Sequence, residues 1–257
     1  MNGWLVVARK EITDHGRDTR SLLSSALLAL MGPIVVLFVS FSDRVRAHDG
    51  AALLLGMLSV FALVSAFAGG MNVAMDATAG ERERRSLLPL LLNPTSRSDV
   101  VIGKWIAVTV FTLGGLALNS AGLVLVLART APLVLLCKFP QLVVWIALGL
   151  VPLSLLGAAL TLLVATLFRT TKEAHTGLSF LMFVPMIVGM FLVFFPEWAR
   201  GLSFVLPIVG QQALIGLPAY PVPVARGAAL AVTTMAATVA VLIVAVRVLD
   251  RDEILTE

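Results

Sequence analysis

The chain has 257 residues, 59% of them hydrophobic and 13% charged, and a formal charge of +4; its mean hydropathy is +0.99. Soluble domains average about 45–50% apolar and about 25% charged residues, so an ordinary soluble domain is excluded. The single cysteine, Cys137, excludes an intramolecular disulfide and a cysteine-based metal framework.

In WLVVARKEITDHGRDTR, residues 4–20, Leu5, Ala8 and Ile12 make an i, i+3, i+7 apolar stripe with Trp4 beside it. The opposite positions are mostly charged, which predicts a short helix lying on a membrane surface within residues 1–21. Six apolar runs without Asp, Glu, Lys or Arg follow, at 22–41, 51–75, 105–128, 142–168, 177–195 and 227–246. A charge at a helix centre costs about 2.5–3.5 kcal/mol on insertion scales. Charge-free runs of this length are therefore what spanning helices require. The first run exceeds the roughly 7–15 residues of a signal-peptide core, so it reads as a retained span. The alternating segments of about ten residues that mark a membrane β-barrel are missing.

Three connections stand out. Residues 76–104 form a charged loop between the second and third runs, and residues 129–141, with Pro132, Lys138 and Pro140, read as an outer connector. In residues 196–226 the apolar stretch 202–217 contains Pro207 and precedes Pro218, Pro221 and Pro223. It is too short and too broken to cross, and is predicted to enter the membrane and return on protein support. The expected fold is an all-α polytopic membrane protein: one transmembrane domain over 1–257, with six spans.

Charge sets the orientation. With both termini inside, the inner segments 1–21, 76–104, 169–176 and 247–257 hold 13 of the Lys and Arg residues and the outer ones 6. The positive-inside bias therefore favours N-in and C-in. Basic loops facing the cytoplasm account for the net charge, and nucleic acid is not an expected partner.

No Walker A, HExxH, GxSxG or CxxC motif occurs. His15, His48 and His175 fall in loops far apart and read as solvated, so no metal site is expected. The runs hold no carboxylate of the kind that proton relays depend on. Their polar inventory points to Asn72, Asn119 and Thr161 as candidates for a substrate path. Asn119 leads, because Gly114, Gly115 and Gly122 let another helix approach nearby. A self-sufficient carrier or channel, or a membrane-embedded enzyme, would need ionisable groups that the runs and loops do not cluster.

The stretch GERERRSLLPLLLNPTSRSDVVIGKW, residues 80–105, carries eight of the chain's charged residues around a leucine cluster. It resembles the signature cytoplasmic loop of type-2 ABC exporter permeases, particularly the NatB-like branch. Gly80, Glu81, Glu83, Arg84, Ser86, Leu87, Pro89, Leu90, Leu91, Pro94, Ser96, Arg97, Gly103 and Lys104 stand at the family's pattern positions. Arg9, Lys10, Glu11, Arg17 and Asp18 likewise match its N-terminal surface helix, whose expected residues here are Trp4, Arg9, Lys10, Glu11 and Arg17. Arg85 departs from a common Gly and Leu88 from a frequent Glu, and only Ser42–Gly50 stands where many members carry an extracellular domain.

The resemblance implies a non-catalytic permease of an ATP-driven exporter in a bacterial-type inner membrane, working with a separate ATPase that binds ATP and Mg2+. It also implies pairing with a second permease copy or a paralogue, within membrane lipid. The loop is then a coupling helix docking on the ATPase through Glu81, Glu83, Arg84, Arg85, Leu87, Leu88 and Leu91. A helix from Glu81 to about Leu92 stacks Leu87 on Leu91 and Leu88 on Leu92, giving an apolar anchor with a polar rim. Spans without charge favour an apolar or amphipathic cargo. The alternatives are a sodium- or ion-exporting ABC permease and an ATPase-independent carrier or channel.

Overall fold

The computed structural model describes residues 3–41, 50–84, 96–130, 132–199, 201–216 and 223–249. Among these no strand occurs, and six helices are long and apolar enough to cross a membrane, in agreement with the six apolar runs.

Helix α1, Gly3–Arg17, ends where Asp18 turns outward to cap α2, Thr19–Ser40; the Asp18 carboxylate accepts from the Arg20 amide at 3.1 Å. Helix α3 is composite: Gly50–Ala68, a break at Gly69 and Gly70, Met71–Met75, a π turn at Asp76–Gly80, and Glu81–Glu83. Helix α4 is Arg97–Thr130. Helix α5 starts as Pro132–Trp145 and passes through a second π turn, Ile146–Leu150, into Val151–Thr166. Helix α6 is Thr171–Phe194, α7 is Val209–Gly216 and α8 is Val224–Leu249.

Helix α3 is the axis of the bundle: 78% of its apolar window is buried, against 22% for α2, α6 and α8. Val36, Leu63, Phe67, Leu116, Leu153 and Leu156 form the main core around it. The break at Gly69 lets α4 cross backbone to backbone, since a Cβ there would lie 2.9 Å from the Thr112 carbonyl oxygen. The outward faces of α2 and α6 expose Leu27, Met31, Phe38, Phe183, Ile187 and Phe194. A soluble protein rarely leaves so large an apolar surface uncovered.

Helix ends depart from the apolar runs. Helix α4 begins at Arg97, eight residues before its run, and α6 begins at Thr171, six before. Charge limits insertion into lipid but does not stop a helix, whose ends follow capping. Thr170 caps α6, its hydroxyl accepting from the Glu173 amide at 3.3 Å. The expected connector at 129–141 is helical from Pro132 onward, with proline in the first turn, where its missing N–H has no cost.

Helix α1 also turns a different face to the protein than its apolar stripe suggests. Val7, Ala8, Glu11 and His15 are buried, whereas Leu5 is 48% exposed. His15 is thus neither in a loop nor solvated, while His175 lies exposed within α6. Reading by periodicity counts Glu11 and His15 as solvent-facing because it cannot see the charges that receive them.

Candidate functional site at the charged end of the bundle

Helix α1 lies across the first turns of α4. A Cβ on Gly103 would come within 2.7 Å of both the Trp4 carbonyl oxygen and Val7 Cβ, so only glycine admits this crossing. The crossing carries Lys10, Glu11 and His15 to the end of α3. There the π turn at Asp76–Gly80 shifts the backbone ladder, and the Ala77 carbonyl is met by a side chain from α4.

That side chain is Lys104, which is 4% exposed. Its three N–H donors meet three acceptors: Ala77 O at 2.5 Å, Glu81 Oε2 at 2.6 Å and Glu11 Oε1 at 3.4 Å. Lys10 Nζ approaches Glu11 Oε1 at 3.2 Å and Glu81 Oε1 at 3.3 Å. Two ammonium groups thus face two carboxylates, the balance that lets charge remain in so apolar a setting. Burial works against the Lys10 charge, but Glu11 and Glu81 more than offset it and raise its pKa above the ordinary 10.5. His15 extends the cluster, with Nδ1 donating to the Glu11 carbonyl oxygen at 2.8 Å and Nε2 lying 3.3 Å from Asp76 Oδ2.

Four consecutive residues then leave α3 in four directions. Glu81 points inward to Lys10 and Lys104. Arg82 donates to Thr166 O at 2.9 Å and Phe168 O at 3.0 Å, a cation on the carbonyl end of α5. Glu83 accepts from the amide of Thr171 at 2.9 Å and its hydroxyl at 2.8 Å, an anion at the start of α6. Arg84 folds back onto Asp76. The base of the loop is therefore tied to α1, α4, α5 and α6.

Of the expected docking residues, Glu81 is buried while Glu83 and Arg84 are exposed. Arg85, Leu87, Leu88 and Leu91 lie outside the described residues. Arg9 and Arg17 of α1 are exposed and Trp4 is half-buried. Asn72, Asn119 and Thr161 are not brought together by any bond. Asn72 Nδ2 donates to Ser24 at 2.9 Å and Ser25 at 3.2 Å on α2. Asn119 Nδ2 donates to Phe61 O at 3.1 Å, and its buried Oδ1 has no partner among the described residues. The Thr161 hydroxyl bonds to Ala158 O within α5.

Sequence reasoning missed His15 and the pair Gln211–Gln212 on α7. Gln211 is fully buried, donating to Thr234 at 2.9 Å and accepting from the Ile208 amide at 2.6 Å; Gln212 donates to Ser59 at 2.8 Å. These bonds fasten α7 to α8 and α3. They also hold Ile208 at φ 73°, a strained conformation for a β-branched residue. The four-residue spacing of Glu11 and His15 was the available signal for the first, and no pattern announces the second.

Six apolar helices gathered over a buried ion cluster define a multi-pass membrane protein, and the chain belongs to the ABC-2 family of transporter proteins, whose model matches residues 5–254. It is 31% identical over 174 residues to the ABC transporter permease protein NatB of Bacillus subtilis (strain 168), covering 64% of this chain and 44% of that protein. The matched stretch thus spans less than half the length of that relative.

Proposed function

We propose that this chain is the permease subunit of an ATP-driven exporter that moves an apolar or amphipathic small substrate out of the cytoplasm. The carrying observation is the four-way tie at Glu81–Arg84. A displacement applied to the segment beyond Arg84 reaches α1, α3, α4, α5 and α6 at once. Leu87, Leu88 and Leu91 are the anchor for the ATPase, with Glu83, Arg84 and Arg85 at the rim. Glu81, committed to Lys104, holds the base on which they stand.

The charged end faces the cytoplasm, with both termini on that side, as the excess of Lys and Arg favours. There α1 lies along the membrane surface. At the far end α7 enters and returns; its eight residues rise only about 12 Å. The exposed faces of α2 and α6 contact lipid and a second copy or paralogue. ATP and Mg2+ bind the partner ATPase, and the complex resides in a bacterial-type cytoplasmic membrane. Spans without midplane carboxylates favour apolar cargo over a bare ion, and Asn119, whose Oδ1 has no partner among the described residues, is the leading residue for the path. Tight Na+ binding by the purified chain would contradict that cargo class.

The test is co-purification of a tagged chain from detergent extracts with its ATPase, wild type beside Leu87→Asp/Leu91→Asp. An ATPase retained by the wild type and lost by the variant supports the docking segment. Absence of an ATPase from both favours the ATPase-independent carrier.

A further inference from the structure

His15 is 6% exposed, yet acceptors face both of its ring nitrogens. The Glu11 carbonyl oxygen, 2.8 Å from Nδ1, can only accept, so Nδ1 carries a proton. Nε2 lies 3.3 Å from Asp76 Oδ2. Nε2 makes no aligned hydrogen bond there, but a neutral ring would leave this buried nitrogen unpaired beside the carboxylate, whereas the imidazolium places a positive charge within ion-pair distance of it. We propose that His15, in its doubly protonated form, is a positioning residue that fixes α1 to the end of α3, and that loss of its proton loosens the base of the loop. Its effect on ATP-driven coupling rests on the docking reading above; the tie itself does not.

The charged surroundings favour the proton. From α1, the Glu11 carboxylate Oε2 lies 3.7 Å from Nδ1. From α3 comes Asp76, whose other oxygen Arg84 holds. From α4, Lys104 reaches the ring only through Glu11, and Phe111 presents an aromatic contact at 6.3 Å between ring centroids. Burial opposes the charge, but the Asp76 carboxylate and the Glu11 carbonyl and carboxylate outweigh it, raising the His15 pKa above the ordinary 6.5. The raised value fixes the sign. The tie is at full strength below pH 6.5 and is lost as pH rises through the folded-state value.

The experiment uses the full chain in nanodiscs with His48→Gln and His175→Gln, leaving His15 as the single histidine, labelled with 15N. Both ring nitrogens are expected to read as protonated at pH 6.5, with a midpoint above that pH that Asp76→Asn moves down. A neutral ring at pH 6.5, or a midpoint indifferent to Asp76→Asn, overturns the proposal. The thermal midpoint of the wild-type chain is expected to fall on the alkaline side, and that of His15→Lys, which keeps a cation, to stay level. A wild-type curve as flat as that of His15→Lys also overturns it. Stimulation of ATP hydrolysis in the assembled complex should fall over the same pH range. If no stimulation occurs at any pH, the docking reading fails while the titration still decides the tie.

Discussion

Lys104 Nζ lies 2.6 Å from Glu81 Oε2, both groups nearly out of solvent, joining the start of α4 to the last turn of α3 across 23 residues of chain. Glu81 and Lys104, which flank the leucine-rich stretch in sequence, thus meet each other. Breaking a buried pair by removing one partner costs about 3–5 kcal/mol. Glu81→Gln and Lys104→Met should each lower thermal stability on that scale. The double variant should cost less than their sum by about 1–3 kcal/mol. Additive losses in a thermal-melt cycle would show that the two charges do not act as a pair.

Gly103 tests the seating of α1. Gly103→Ala pushes a methyl into the Trp4 carbonyl and Val7 and should cost about 1–3 kcal/mol, with faster tryptic cleavage at Arg9 and Arg17. Gly114→Ala, in the same helix with nothing within 4 Å of the added carbon, should instead stabilise by about 0.5–1 kcal/mol. Equal effects at the two positions would contradict the crossing.

The Thr171 amide sits in the first turn of α6, where no carbonyl of its own helix can receive it, and Glu83 takes that role. Glu83→Ala should speed hydrogen exchange at Thr171 while amides in the middle of α6 stay protected. Unchanged exchange at Thr171 would remove the link between the loop base and α6.

At the far end, Gln211→Leu leaves the Ile208 amide and the Thr234 hydroxyl without their shared partner. A loss of about 1–3 kcal/mol is expected from the stranded Ile208 amide, since the Thr234 hydroxyl keeps its bond to the Leu230 carbonyl. The ATPase should still co-purify, since α7 stands apart from the charged end. Loss of the ATPase from this variant would show that the two ends are not separable.

The six helices were legible because membrane insertion writes itself as long charge-free runs, a one-dimensional signal. Their ends were not, because Thr170 and Asp18 start helices through individual hydrogen bonds that hydropathy does not register. The charged loop was legible as a cluster, but its inward half was not. Glu81 and Arg84 look alike as exposed charges until Lys104 and the π turn are placed around them. His15 was hidden for the same reason: its partner Asp76 lies 61 residues away on another helix. Gln211 and Gln212 resemble any loop glutamines, and only Thr234 and Ser59 give them a purpose.

The most direct measurement is ATP turnover of the reconstituted permease–ATPase complex carrying Glu81→Gln/Lys104→Met, beside the wild-type complex and the ATPase alone. The double variant removes the buried pair without stranding one charge of it, so failure to fold is the lesser concern. The ATPase is expected still to bind through the leucine segment, while stimulation by the permease falls about tenfold or more, about 1.4 kcal/mol of lost coupling. Wild-type stimulation from a complex lacking the pair would contradict it.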